Sequence, residues 1–143
     1  MVHERSASVV YEAFDAGPHL AGVVGILGSL GWDNFGHDPD LTRRSLTAPG
    51  VTAIVAAARD TGEVVGFAQV FSDGVFQAHL GLLAVDEGWR RGGVGRGLVG
   101  EAFARVGARR MDLIASDESL AFYRSFEHRE QAGFRIYSDP GPA

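Results

Sequence analysis

The sequence predicts an α/β (α+β) fold: a mixed, largely antiparallel central sheet with one parallel strand pair, flanked by about four helices. Three observations carry this expectation. The β-rich runs Val51–Arg59, Glu63–Phe71 and Val75–Val85 follow one another across the short turns Asp60-Thr61-Gly62 and Ser72-Asp73-Gly74, the pattern of an antiparallel meander. A helical stripe of Val94, Leu98, Val99, Ala102, Phe103 and Val106 comes next. The run Met111–Ala115 then closes a strand–helix–strand unit, a crossover that makes its two strands parallel.

The remaining elements fall between these. Residues 6–13 read as a first strand. Asp15-Ala16-Gly17-Pro18 opens a helix with a cap and a proline, and Leu20, Val23, Val24, Leu27 and Leu30 keep helical spacing until Gly31. A loop, Trp32–Asp38, leads to a short helix over Pro39–Ala48. The third helix spans Val94–Ala108, with Gly107 as its C-terminal cap. Ser116 caps a final helix running to Phe126, with acids in its first turn where the helix dipole favours them. Gly133–Tyr137 reads as a last strand.

Composition narrows the chemistry. At 143 residues the chain is expected to form one domain, residues 1–143, burying roughly 68–70% of its unfolded surface. There is no cysteine, which excludes disulfides, thiolate nucleophiles and Cys-based zinc sites. The five histidines are scattered without metal-ligand spacing, so no metal is expected. All 13 basic residues are arginine, which removes Schiff-base chemistry. The longest apolar stretch is too short and too Gly-rich to span a bilayer, and no basic-then-apolar leader is present; a cytoplasmic protein without membrane attachment is expected.

Charge is unevenly spread. The net value is −5, yet six Arg and one Glu lie between Arg90 and Arg110, giving +5 there and −10 elsewhere. A basic segment in an acidic protein suits one anionic small ligand rather than a nucleic acid. Its centre is Arg90-Arg91-Gly92-Gly93-Val94-Gly95-Arg96-Gly97, placed after Leu83-Ala84-Val85 and at the start of the third helix. Glycines let the backbone approach a ligand, and a helix N-terminus adds partial positive charge, so the segment reads as a phosphate pocket. Two signatures overlap in it. Gly95-x-Gly97-x-x-Gly100 matches the dinucleotide fingerprint, but Gly95 lies ten positions after Val85, whereas that fingerprint starts at the strand end. Arg90-x-x-Gly93-x-Gly95 is the other.

Through Arg90-x-x-Gly93-x-Gly95 the chain resembles the GNAT superfamily of acetyl-CoA-dependent N-acetyltransferases. Leu83-Ala84-Val85 before the loop, Phe122-Tyr123 after it and the order of elements are similar too, and the resemblance extends over essentially the whole chain. It implies a GNAT-like fold with its parallel pair at the cofactor site. It also implies coenzyme A, with acetyl-CoA as co-substrate, held by Leu83, Ala84, Val85, Arg90, Arg91, Gly92, Gly93, Val94, Gly95 and Arg96. One departure stands out: Glu127-His128 occupies the place where the family carries Gly-Phe, and Gly133-Phe134 comes later.

The resemblance makes Tyr123 the general acid toward the departing thiolate. A phenol of pKa about 10 giving its proton to a thiolate of about 8.5 is uphill by roughly 2 kcal/mol, so Tyr123 is either tuned downward or chiefly hydrogen-bonds the sulfur. A core aromatic beside Phe122 and Phe126 is the other reading. His79 is the candidate base: period-two alternation sends Gln77, His79, Gly81, Leu83 and Val85 to one face, and His79 lies at the position where some relatives carry a basic Glu. A half-buried, hydrogen-bonded His is its alternative. Trp32, Asp33 and Phe35, with Asp38, either wall an amine-acceptor pocket or form a plain connector with a docked Trp.

The expected function is transfer of an acetyl group from acetyl-CoA to a primary amine of a small molecule or peptide. A non-catalytic acyl-CoA sensor and a nucleotide-binding domain are the alternatives. A homodimer is compatible with the sequence, which fixes neither the acceptor nor the oligomeric state.

Overall fold

The computed structural model describes residues 8–32 and 38–139. The chain divides into two compact units, Met1–Asp112 and Leu113–Ala143.

The first unit is built on a five-stranded sheet in the order β1-β2-β3-β4-β5. Its strands are β1 (Val9–Ala13), β2 (Val51–Ala58), β3 (Val64–Ser72), β4 (Gln77–Val85) and β5 (Arg110–Asp112). Helices α1 (Ala16–Ser29) and α2 (Pro39–Leu46) connect β1 to β2, and α3 (Val94–Val106) connects β4 to β5. The β1–β4 ladders are antiparallel and β4–β5 is parallel. The expected meander and crossover are therefore both present. Residue Ser8 lies outside β1, so the first strand begins later than the sequence suggests, and β5 is three residues long rather than five.

β2 and β3 are nearly continuous apolar runs because helices cover both their faces. On one face, Val23, Ile26 and Leu27 of α1 pack with Val55, Phe67 and Ala84. Fully burying an aliphatic side chain such as Leu27 contributes about 1.5–3 kcal/mol. On the other face α3 buries Val94, Leu98, Val99, Ala102 and Val106, and Leu98 Cδ1 reaches the backbone at Gly66.

Caps set the helix limits. The Asp15 carboxylate accepts the Gly17 N–H at 3.3 Å, and the Asp38 carboxylate accepts that of Asp40 at 3.0 Å. At the end of α1, the Trp32 N–H donates to Leu27 O at 3.0 Å and the Gly31 N–H to Gly28 O at 3.1 Å, a Schellman closure. Buried His19 ties β1 to α1. Its Nδ1 accepts the Asp15 N–H at 2.9 Å, which assigns the proton to Nε2 for donation to Glu12 at 3.0 Å.

The second unit holds a 3-10 turn, Asp117–Ser119, and α4 (Leu120–Arg124). Ser116 does not cap it through a backbone N–H; its hydroxyl donates to Ser119 Oγ at 3.1 Å. The helix stops short of Phe126 because its last turn tightens: the Phe126 N–H bonds Tyr123 O at 3.1 Å, three residues back. Gly133–Tyr137 forms no strand. Its alternating pattern finds no ladder, and Phe134 and Ile136 are 82% and 90% exposed.

Candidate active site

The sheet forks between β4 and β5. Pairing covers only Gln77↔Arg110, Ala78↔Met111 and His79↔Asp112. Beyond that rung, among the described residues, no strand pairs with residues 80–85 on the β5 side.

A β-bulge sits just past the fork. Val70 opposes Leu80 and Gln69 opposes Leu82, so Gly81 is the extra residue. A Cβ there would lie 2.6 Å from Phe71 Cε2 and 2.8 Å from Gln69 Oε1, so any larger residue has to displace these two side chains. The bulge reverses which groups face outward. Before it, the Asp73 N–H bonds Gln77 O at 3.3 Å, which turns the backbone of Gln77 and His79 toward β3. After it, the Asp86 N–H bonds Val65 O at 2.7 Å; Leu82 and Ala84 then face β3, and the N–H groups of Leu83 and Val85 face the open edge.

The bulge also corrects the simple alternation along β4. His79 pairs with Phe71, Leu82 with Gln69 and Ala84 with Phe67, so these side chains share the α1 face. Leu83 and Val85 pair with Ala68 and Gly66 on the α3 face. His79 and Leu83 thus lie on opposite faces, because one inserted residue shifts the period by one.

Downstream of β4, a 3-10 turn (Glu87–Trp89) leads into Arg90 and the loop. Arg90 folds back, its Nε donating to Val85 O at 3.2 Å. Arg91 holds φ 62, the one non-glycine with positive φ among the described residues, a conformation costing about 1–2 kcal/mol. Gly92 is buried. Gly93, at φ 87, is the N-cap of α3 and supplies no side-chain bond. The first helical bond, Gly97 N–H to Gly93 O, measures 3.0 Å. The N–H groups of Val94, Gly95 and Arg96 therefore precede any intrahelical acceptor, in an Arg-rich and dipole-positive setting that suits an anion. Gly95, Gly97 and Gly100 all lie inside α3, so the dinucleotide fingerprint lacks its strand-end turn. Tyr11 packs where a side chain at Gly97 would stand, whereas Gly100 faces open space rather than the close packing its place in the helix suggests.

His79 is exposed, and its ring stands 6.5 Å from that of Phe71, tilted by 34°. Tyr123 belongs to the second unit, edge-on to Phe122 at 4.9 Å, and burial raises its pKa. That shift is opposite to downward tuning and favours hydrogen-bond donation. Trp32 packs on the α1 core, the docked arrangement, while Asp33 and Phe35 lie outside the described residues. Asp38 is engaged as the α2 cap. A surface cavity of about 390 Å³ at the β2–β3 turn, beside Ser8 and Trp89, contains none of the residues singled out from the sequence.

Sequence reasoning missed the bulge and its neighbours Gln69, Phe71 and Asp112. A lone glycine inside a strand pattern was the available signal. Buried Gln69 donates from Nε2 to Ser45 O at 3.1 Å, which ties the end of α2 to the bulge.

No functionally curated protein matches this sequence. Solved structures do. A putative acetyltransferase from Deinococcus radiodurans R1 superposes with a TM-score of 0.74 at 24% identity, over 96% of this chain and 94% of that one. An aminoglycoside acetyltransferase from an uncultured soil metagenomic sample, in complex with sisomicin, gives 0.74 at 20% identity, over 94% and 99%. Glucosamine-6-phosphate N-acetyltransferase from Arabidopsis thaliana gives 0.67 at 16% identity, over 92% and 99%. At these identities the likeness is one of fold. The family model described as acetyltransferase (GNAT) family matches residues 27–127, and the chain belongs to that family.

Proposed function

We propose that the protein transfers an acetyl group from acetyl-CoA to a primary amine of a small molecule or peptide. The observation that carries this is the open β4 edge. The Leu83 and Val85 N–H groups face the gap between the strands, and the uncapped start of α3 follows directly. The named neighbours, an aminoglycoside and a glucosamine-6-phosphate acetyltransferase, support an amine acceptor.

Bound acetyl-CoA supplies an acetyl group already activated as a thioester. The edge N–H groups of Leu83 and Val85 donate to its carbonyl oxygen and to the oxyanion that follows, and Ala84 carries the backbone between them. Removing one such donor in other enzymes costs about 10²–10³ in rate. Arg90, Arg91, Gly92, Gly93, Val94, Gly95 and Arg96 hold the pyrophosphate with charge and backbone N–H groups. His79, whose ring nitrogens bond no other described residue, takes the proton from the amine. Tyr123, kept neutral by its raised pKa, donates a hydrogen bond to the departing sulfur.

The test is thiol release from acetyl-CoA across a panel of amines. Amine-dependent release supports the reading, and His79→Ala then flattens the acid limb of the rate profile. Thermal stabilisation by coenzyme A without release from any amine rejects catalysis in favour of a sensor. Stabilisation by NAD in preference to coenzyme A rejects the cofactor as well.

A further inference from the structure

The last rung before the fork carries a side-chain row that the reaction as described uses only in part. Phe71, His79 and Asp112 are in register across β3, β4 and β5, so they project from the same face of the sheet. That face is the one covered by α1 further along the strands, yet at this rung all three residues are exposed, Phe71 by 44% despite its place on an inner strand. The missing side chain at Gly81 lets Phe71 lie against the bulge. The Asp112 carboxylate has no ion pair or hydrogen bond with any described residue. The nearest cation along its strand, Arg110, lies one step farther from the fork, about 6.6 Å along β5, and is engaged by Gln77 Oε1 at 3.0 Å.

We infer that this row is an acceptor subsite selective for amines carrying a second positive charge on a hydrocarbon chain, with Asp112 as the specificity-determining residue. The inference rests on the acetyl-transfer reading and adds the acceptor's class to it. An unpaired carboxylate at the edge of the fork attracts a distal ammonium. Phe71, on the other side of His79, offers its aromatic face to the reacting end and adds a cation–π contribution while that end is still an ammonium. His79 stands between Phe71 and Asp112, where the reacting amine loses its proton. Exposed apolar surface beside a lone carboxylate is a poor arrangement for structure alone and a good one for such a ligand.

Three four-carbon probes test this on the full chain: 1,4-diaminobutane, butylamine and 4-aminobutyrate. Calorimetric binding and thiol release are both read. The diamine is expected to bind roughly five- to tenfold more tightly than butylamine, with 4-aminobutyrate weakest. Asp112→Asn should erase the difference between diamine and butylamine, and Asp112→Lys should rank 4-aminobutyrate first, a gain that misfolding does not produce. Equal binding of the three probes, no binding of the diamine, or a preference that survives Asp112→Asn overturns the subsite. Asp112-dependent diamine binding without thiol release leaves the subsite standing and rejects the transfer reading. Thiol release without charge preference does the reverse.

Discussion

The Tyr11 phenol on β1 fills the space beside Gly97 that a Cβ in the first turn of α3 would need. Replacing Gly97 by Ala should gain about 1 kcal/mol of helix propensity and lose roughly 1–3 kcal/mol to overpacking, a net loss. In a Tyr11→Ala background the same change should stabilise. Gly100→Ala, which meets nothing within 4 Å, should stabilise in either background by about 1 kcal/mol. Melting of the four Tyr11 and Gly97 combinations decides this. The same sign for Gly97→Ala in both backgrounds would remove Tyr11 as the reason for the glycine.

Gly93 is held at φ 87 as the N-cap of α3, and Gly95 is two residues into the helix. Valine at Gly93 should cost about 1–2 kcal/mol in the apo protein, because a β-branched residue is strained there. At Gly95, inside the helix and without a positive φ, valine should be close to neutral in the apo protein, gaining about 0.3 kcal/mol of helix propensity over glycine. Both should abolish the thermal stabilisation given by coenzyme A, since each puts a side chain over the N–H groups that receive the anion. A full coenzyme A shift in either variant would displace the pyrophosphate from this loop.

The β3–β4 turn fixes the register that presents His79, and Asp73 organises it. Its Oδ1 accepts the N–H groups of Val75 and Phe76 at 2.8 Å each and of Gln77 at 3.2 Å. These bonds, that of Phe76 foremost and then that of Val75, hold the carboxyl below its ordinary value of 3.8. A depressed folded pKa gives stability that is present above the unfolded value and lost as pH falls through the folded one. Asp73→Ala should therefore lower Tm at about pH 6 and do so less at about pH 3. A Tm difference that is constant over this range would mean that the ionised carboxylate contributes nothing.

The meander was legible because its turns use Asp and Gly, whose local chemistry ends strands regardless of tertiary context. The stripe of α3 and its Gly107 cap, at φ 70, were legible for the same reason. The fork was not. Whether β4 keeps a partner past His79 depends on where β5 ends, and Met111–Ala115 looks strand-like throughout. The bulge erased the alternation that put His79 and Leu83 on one face, although Gly81 marked the place. Gly133–Tyr137 failed in the opposite way: its pattern suits a strand, but pairing is a property of a neighbour that the pattern does not contain. In the sequence Asp112 is one more acid in an acidic chain; only the register beside His79 gives it significance.

Tyr123 carries the last prediction. Burial raises its pKa above the usual 10, so the phenol stays neutral throughout the neutral range. A raised folded pKa gives stability that is complete below the unfolded value and lost as pH rises through the folded one. The wild-type Tm should therefore fall more steeply than that of Tyr123→Phe between about pH 9 and about pH 11. If the phenol hydrogen-bonds the departing sulfur, Tyr123→Phe should also lower kcat by about 10²-fold while acetyl-CoA affinity changes little, because that bond strengthens only as the thiolate forms. Equal alkaline slopes would discard the buried phenol. An unchanged kcat with a normal slope would leave Tyr123 as an aromatic packed edge-on to Phe122 and nothing more.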